Sequence, residues 1–174
     1  MSKSILIRFG GVAAILAGLL RGFVSFVPRT VPDSTLQILY FLIDVLIVCG
    51  MVALFGMNFR ETGKSGIFGF VIAIIGIGII RSGKLITGLN LYPAGALIFS
   101  IGLNLFGLSL WKANRIPGWI AACWLLSILA GLIVYLVPAF DFLFPIAGLL
   151  FAIGFIGAGI HLCSATHDRL DVAK

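Results

Sequence analysis

Residues 66–88 read GIFGFVIAIIGIGIIRSGKLITG, and from Gly66 to Ile80 no side chain is charged or polar. Such a run has no face to offer water, and its length meets the roughly 20 residues that a helix needs to cross the hydrocarbon core of a bilayer. Five further apolar stretches surround it, at 5–27 and 36–57 on one side and at 91–111, 119–137 and 142–163 on the other. Turn residues punctuate the connections: Pro28, Pro32 and Asp33, then Thr62 and Gly63, then Asn114 and Pro117, then Pro138 and Asp141. The connection around Asn90 and Pro93 is the weakly marked one. The expected fold is an all-α membrane protein, a single polytopic domain over 1–174 with about six transmembrane helices arranged as three hairpin units.

Composition agrees with that reading. The 174 residues are 61% hydrophobic and 10% charged, with a mean hydropathy of +1.21, whereas a soluble domain carries roughly 25% charge. A globule of this length leaves too much surface outside to hide that much apolar side chain from water. The formal charge of +6, from 12 Lys and Arg against 6 Asp and Glu, does not point to nucleic acid. The basic residues sit mostly in short connections, without the dense run or aromatic interleaving of an RNA or DNA surface. The apolar run after Met1–Arg8 extends to Val27 without a small-residue cleavage site, so it reads as a retained span and not as a signal peptide.

Lys3, Arg8, Arg60, Lys64, Lys112, Arg115, Arg169 and Lys174 fall on one side of this topology and Arg29 on the other. The positive-inside bias therefore places both termini in the cytoplasm of a cell whose plasma membrane the chain crosses. Trp111 and Trp119 flank a basic connection, as interface anchors do.

An internal repeat runs through the chain. Tyr92-Pro93 with Gly102 and Gly107 is matched, 52 residues later, by Phe144-Pro145 with Gly154 and Gly159. Span two joins less well, with Gly50 set opposite Gly107 and no matching proline. Units of about 50 residues are the size at which repeats are sought. Three consecutive hairpins form a parallel repeat, unlike the inverted repeats of many transporters. Gly102, Gly107, Gly154 and Gly159 are expected to serve helix packing, since small residues let backbones approach closely in lipid.

Ionisable groups inside spans are costly and mark candidate sites. Arg21, Asp44, Arg81 and Lys84 fall in the outer halves of their helices, and Gln37, Tyr40 and Asp44 share one face of span two. An ion pair of Asp44 with Arg81 or Arg21 is the economical arrangement. The surplus positive charge could instead receive an anionic ligand or a lipid headgroup. A proton relay lacks a second membrane carboxylate to pass the proton onward, and Asp141 reads as a solvated helix N-terminal residue.

Other chemistry finds little support. Cys49, Cys123 and Cys163 are far apart and form no CxxC pair, and no metal set can be drawn. His161 has no second histidine at matching depth for a bis-His haem, so no cofactor is expected unless a partner supplies a ligand. Gly63-Lys64-Ser65 ends like a phosphate loop, but Asn58 stands where its first glycine belongs. Gly76, Gly78 and Arg81 lack the last glycine of a dinucleotide turn. Asn104 and Ser100 can hydrogen-bond to neighbouring helices.

The segments Gly50-Met51-Val52-Ala53-Leu54-Phe55-Gly56, Thr62-Gly63-Lys64-Ser65-Gly66, Leu105-Phe106-Gly107-Leu108 and Ile116-Pro117-Gly118-Trp119 resemble uncharacterised small six-span bacterial membrane proteins over most of the chain. The triple hairpin is also similar to the HdeD-like acid-resistance membrane proteins. Neither likeness defines catalytic or ligand residues. The expectation is a non-enzymatic protein of the bacterial inner membrane, an accessory or assembly subunit packing against lipids, other membrane proteins or its own copies. The alternative is a small transporter or channel with an anion-attracting site formed by Arg21, Gln37, Tyr40, Asp44, Arg81 and Lys84.

Overall fold

A computed structural model describes residues 3–27, 33–87 and 90–171. It contains α1 (Lys3–Val24), α2 (Asp33–Asn58), α3 (Gly63–Thr87), α4 (Tyr92–Lys112), α5 (Gly118–Leu136) and α6 (Leu143–Asp171), with a short 3-10 turn at Pro138–Phe140. All six are long and apolar enough to cross a membrane, so the chain is an all-helical, multi-pass membrane protein. Its outside is correspondingly apolar, with Phe9, Phe23, Phe68, Leu126 and Ile153 exposed. Backbone polar groups are satisfied within each helix, as hydrocarbon requires.

Four helix ends differ from the expected spans by three residues or more, and two of these are the starts of α2 and α3, at Asp33 and Gly63. α1 stops at Val24 and not at 27; Ser25 Oγ donates to the Arg21 carbonyl at 2.9 Å and the following amides bond only three residues back. The residue before a proline disfavours helical backbone, and Val27 precedes Pro28. α6 continues past 163 to Asp171, since the polar tail contains neither glycine nor proline to end it. Between α2 and α3 the turn is built locally: Asn58 Nδ2 donates to the Leu54 carbonyl, Thr62 Oγ1 donates to the Asn58 carbonyl at 2.6 Å, and Gly63 takes φ +66°. That left-handed conformation costs glycine little.

Apart from α2 with α3, each helix packs against its sequence neighbours, and α6 returns to α1. The tightest pairs are α3 with α4 and α1 with α6, while α2 barely touches α3. Contacts run antiparallel. A Cβ at Gly159 would stand 2.5 Å from the Gly11 carbonyl oxygen and 2.7 Å from Ile15 of α1, and one at Gly18 would stand 2.6 Å from the Ala152 carbonyl oxygen. On the other pair, a Cβ at Gly102 would stand 2.7 Å from the Gly69 carbonyl oxygen and 2.8 Å from Ala73 Cα. The nearest neighbour in each case is backbone, which cannot swing aside. Gly102→Leu is therefore expected to part α3 from α4 and to cost about 1–3 kcal/mol or more. Gly78→Ala, whose Cβ meets nothing within 4 Å, should instead gain up to about 1 kcal/mol from helix propensity. Thermal midpoints of the two variants in one detergent test this contrast.

Trp124 of α5 fills the space between α4 and α6. It is 1% exposed, and its ring would meet a Cβ at Gly107 at 2.7 Å and one at Gly154 at 2.5 Å. Phe155 lies beside it with ring centroids 5.3 Å apart.

The packing revises the repeat register expected for α2. Gly50 does not share the role of Gly107. It faces α1, where its Cβ would stand 2.8 Å from Ala14 Cβ. Gly102 on α3 and Gly154 on Trp124 likewise face the preceding helix, whereas Gly107 and Gly159 face the following one, α1 taking that place for α6. Five residues turn a helix by about 140° beyond a full turn, which sends the two sets to opposite neighbours. Five residues after Gly50 stands Phe55, stacked on Phe70 of α3 at a centroid distance of 4.3 Å.

Candidate functional site

The polar cluster forms at the end of the bundle where α1 passes to α2. Asp44 lies 11 residues into α2, about 16 Å from its start, and Arg81 lies six residues before the end of α3, about 9 Å from it. A long arginine stem can span that difference in depth. Arg81 Nε donates to Asp44 Oδ2, and Nη2 lies against the same oxygen. The two side chains are 30% and 18% exposed. The Arg81 guanidinium also lies 5.9 Å from the Phe41 ring centroid.

Arg21 reaches in from α1 and stands over the Tyr40 ring, 5.7 Å from its centroid. Its charge acts on Asp44 as well, though without a hydrogen bond. Among the described side chains, two guanidiniums thus face one carboxylate and two aromatic rings, which leaves one positive charge in excess. Cation–π contact of this kind is worth about 0.5–2 kcal/mol, less than a carboxylate partner would give.

Of the other residues that the sequence offers for this cluster, Gln37 is placed outside it. Gln37 is exposed and makes no hydrogen bond among the described residues. Lys84 continues α3, and its side chain lies outside the described residues. Asp141 is exposed in the turn before α6, with its carbonyl accepting from the Phe144 amide.

Beside the pair, α2 and α3 leave a crevice of about 200 Å³ that opens sideways. Val45, Val48, Cys49 and Ile77 line it away from the charges, and Asp44, Arg81 and Phe41 close one end. Its exposed lining is almost wholly apolar, with the Asp44–Arg81 pair at one end. Nothing in the sequence drew attention to it, because it exists only where two helices fail to pack.

A second polar locus lies in the core, between α4 and α5. Asn104 Nδ2 donates to the Ser100 carbonyl at 2.9 Å and to the Trp124 carbonyl at 3.4 Å. Asn104 Oδ1 and Trp124 Nε1 are buried without a partner in the chain, a costly arrangement in an apolar interior. Ser127 Oγ donating to the Ala147 carbonyl, and Ser65 Oγ against Ser109 Oγ at 3.0 Å, tie α5 to α6 and α3 to α4. A serine in an apolar run gives no sign of which helix it will meet.

At the opposite end, Arg115 Nη2 donates to Glu61 Oε1 at 2.8 Å, joining two connections. Both side chains are more than 40% exposed, so Arg115→Ala should cost at most about 1 kcal/mol in a denaturation midpoint. Trp111 lies against Gly118 and the Trp119 ring against Gly157, both indoles about half exposed. Among the described residues no group of three or more His, Cys, Asp or Glu gathers to hold a metal.

Comparison with known protein families, with curated proteins and with solved structures finds no match to this chain.

Proposed function

We propose that this chain is a non-enzymatic protein of the bacterial inner membrane, an accessory or assembly subunit that offers its helix faces to lipids, to other membrane proteins or to further copies of itself. The observation that supports it is the fate of Asp44. The spans contain no other carboxylate, and this one is engaged with Arg81 across a sparse contact between α2 and α3. A carboxylate held so can fasten helices; it is not disposed to hand a proton along a path. The connections between helices are also short, which leaves no room in them for a catalytic or regulatory domain.

In this reading both termini face the cytoplasm and the helices form three successive hairpins, α1–α2, α3–α4 and α5–α6. The even spacing of Gly50, Gly102 and Gly154, each turned to the preceding helix, favours that repeat. The likeness to small six-span bacterial proteins, and to the HdeD-like group, belongs to the same proposal. Cysteine labels or protease sites added at the two ends should be protected in intact cells and become reactive after lysis. Labelling of either end from outside rejects the orientation.

Mild-detergent purification of the full chain, followed by mass spectrometry of co-purifying chains, tests the subunit role. Reproducible partners, or a defined homo-oligomer, are expected. The excess charge at Arg21 favours a second reading, a small transporter of anions. Flux into proteoliposomes holding the purified chain alone would replace the first reading with the second.

A further inference from the structure

We infer that the α2–α3 crevice holds one acyl chain of an anionic phospholipid, with the lipid phosphate received by Arg21 and Arg81. The inference deepens the proposed role in contacting lipid, and rests on that role only in requiring a bilayer around the helices.

The opening has a cause in the sequence. At 107 and 159 the residue facing the following helix is glycine, and the backbones or rings close in. At 55 it is phenylalanine, whose ring stacks on Phe70 and stands 6.3 Å from Phe106 by ring centroids. A side chain of that size at one end of the α2–α3 seam holds the helices apart there. Toward the other end of the seam, the Asp44–Arg81 pair spans what remains of the gap. Between these two props lies the slot lined by Val45, Val48, Cys49 and Ile77.

Its shape and charge suit one kind of occupant. The slot runs parallel to the helices, from Phe41 toward Cys49, over about 12 Å at the helical rise. That is the direction of a lipid tail descending from a headgroup. Its charged end lies toward the membrane surface: Arg21 is three residues and Arg81 six residues from the ends of their helices, within snorkelling reach of phosphate. An anionic headgroup suits this end, because among the described side chains Asp44 offsets only one of the two guanidiniums there. Arg81 uses Nε and Nη2 on Asp44, which leaves Nη1 to donate, and Arg21 over the Tyr40 ring keeps its N–H groups for an acceptor.

Native mass spectrometry of the full chain in detergent, titrated with phosphatidylglycerol or phosphatidylcholine, tests this. One phosphatidylglycerol should bind in preference to phosphatidylcholine. Arg21→Gln, which leaves the Asp44–Arg81 pair intact, should weaken that binding about tenfold, as expected for losing one charge-assisted contact. Val48→Trp should fill the slot and abolish it, and Val45→Phe serves if Val48→Trp does not fold. Equal retention of the two lipids, or undiminished binding in Arg21→Gln, overturns the inference. So does displacement of the lipid by inorganic phosphate at millimolar concentration, which would make the site one for free anions. None of these outcomes alters which protein chains co-purify, so the subunit role stands or falls separately.

Discussion

Arg81→Gln is expected to destabilise the bundle by about 3–5 kcal/mol, because it strands a carboxylate that has been taken out of water. Asp44 sits about 16 Å along α2 on a short side chain, too deep to reach the headgroups by itself. Arg21 adds its field there, but its guanidinium is engaged over Tyr40. Asp44→Asn should cost less. The unpaired Arg81 is only six residues from the end of α3, and its stem can carry the charge toward the surface. Replacing both with apolar residues of similar size should return stability to within about 1 kcal/mol of the parent or above it, since a buried pair repays little more than its desolvation. The coupling in this cycle, read from denaturation midpoints in detergent, separates a pair that fastens helices from two independent groups. Additive losses would show that the contact does not hold α2 to α3.

Trp124→Ala should produce a loss of comparable size, about 3 kcal/mol. Deleting a buried large aromatic costs about 3–5 kcal/mol in soluble proteins. The lower end applies here because lipid is as apolar as the core, so cavity and lost contact, and not transfer from water, make up the cost. The indole is 1% exposed, lies 5.3 Å from Phe155 by ring centroids, and fills the space left by Gly107 and Gly154. The complementary change is Gly154→Ala, whose methyl would press on the indole at 2.5–2.6 Å. It should cost about 1–3 kcal/mol by overpacking. In a Trp124→Leu background the same methyl enters vacated space, so its cost should disappear or change sign. If Gly154→Ala is equally harmful in both backgrounds, the ring is not what that glycine accommodates. Trp124→Phe should be milder than Trp124→Ala, because it keeps most of the ring's volume while shedding the unpartnered Nε1–H.

The six helices were legible because an uninterrupted apolar run of membrane length has few other fates, and the turn residues between runs bound each helix to within a few positions. The pairing of Asp44 was legible in kind, since a lone intramembrane acid among cations must find one. Its choice of Arg81 over Arg21 was not. That depends on the rotation of α2, which turns Tyr40 to Arg21 and Phe41 to Arg81. Gln37 shares that face of α2 by spacing alone. One turn nearer the helix start than Tyr40, it is exposed. Trp124 looked like one more apolar residue in α5, and only its position between two glycines of other helices makes it central.

The chain's own chemistry therefore determined that it lives in a bilayer, how many times its helices can cross it, and that its few embedded charges must be answered. Tertiary structure alone decided which helices touch, where glycine admits a neighbour's backbone, and that α2 and α3 stay apart beside Phe55. Hydropathy is a property each segment carries by itself, whereas packing in lipid depends on the shapes that two helices present to one another, and a single sequence records those shapes without saying which will meet.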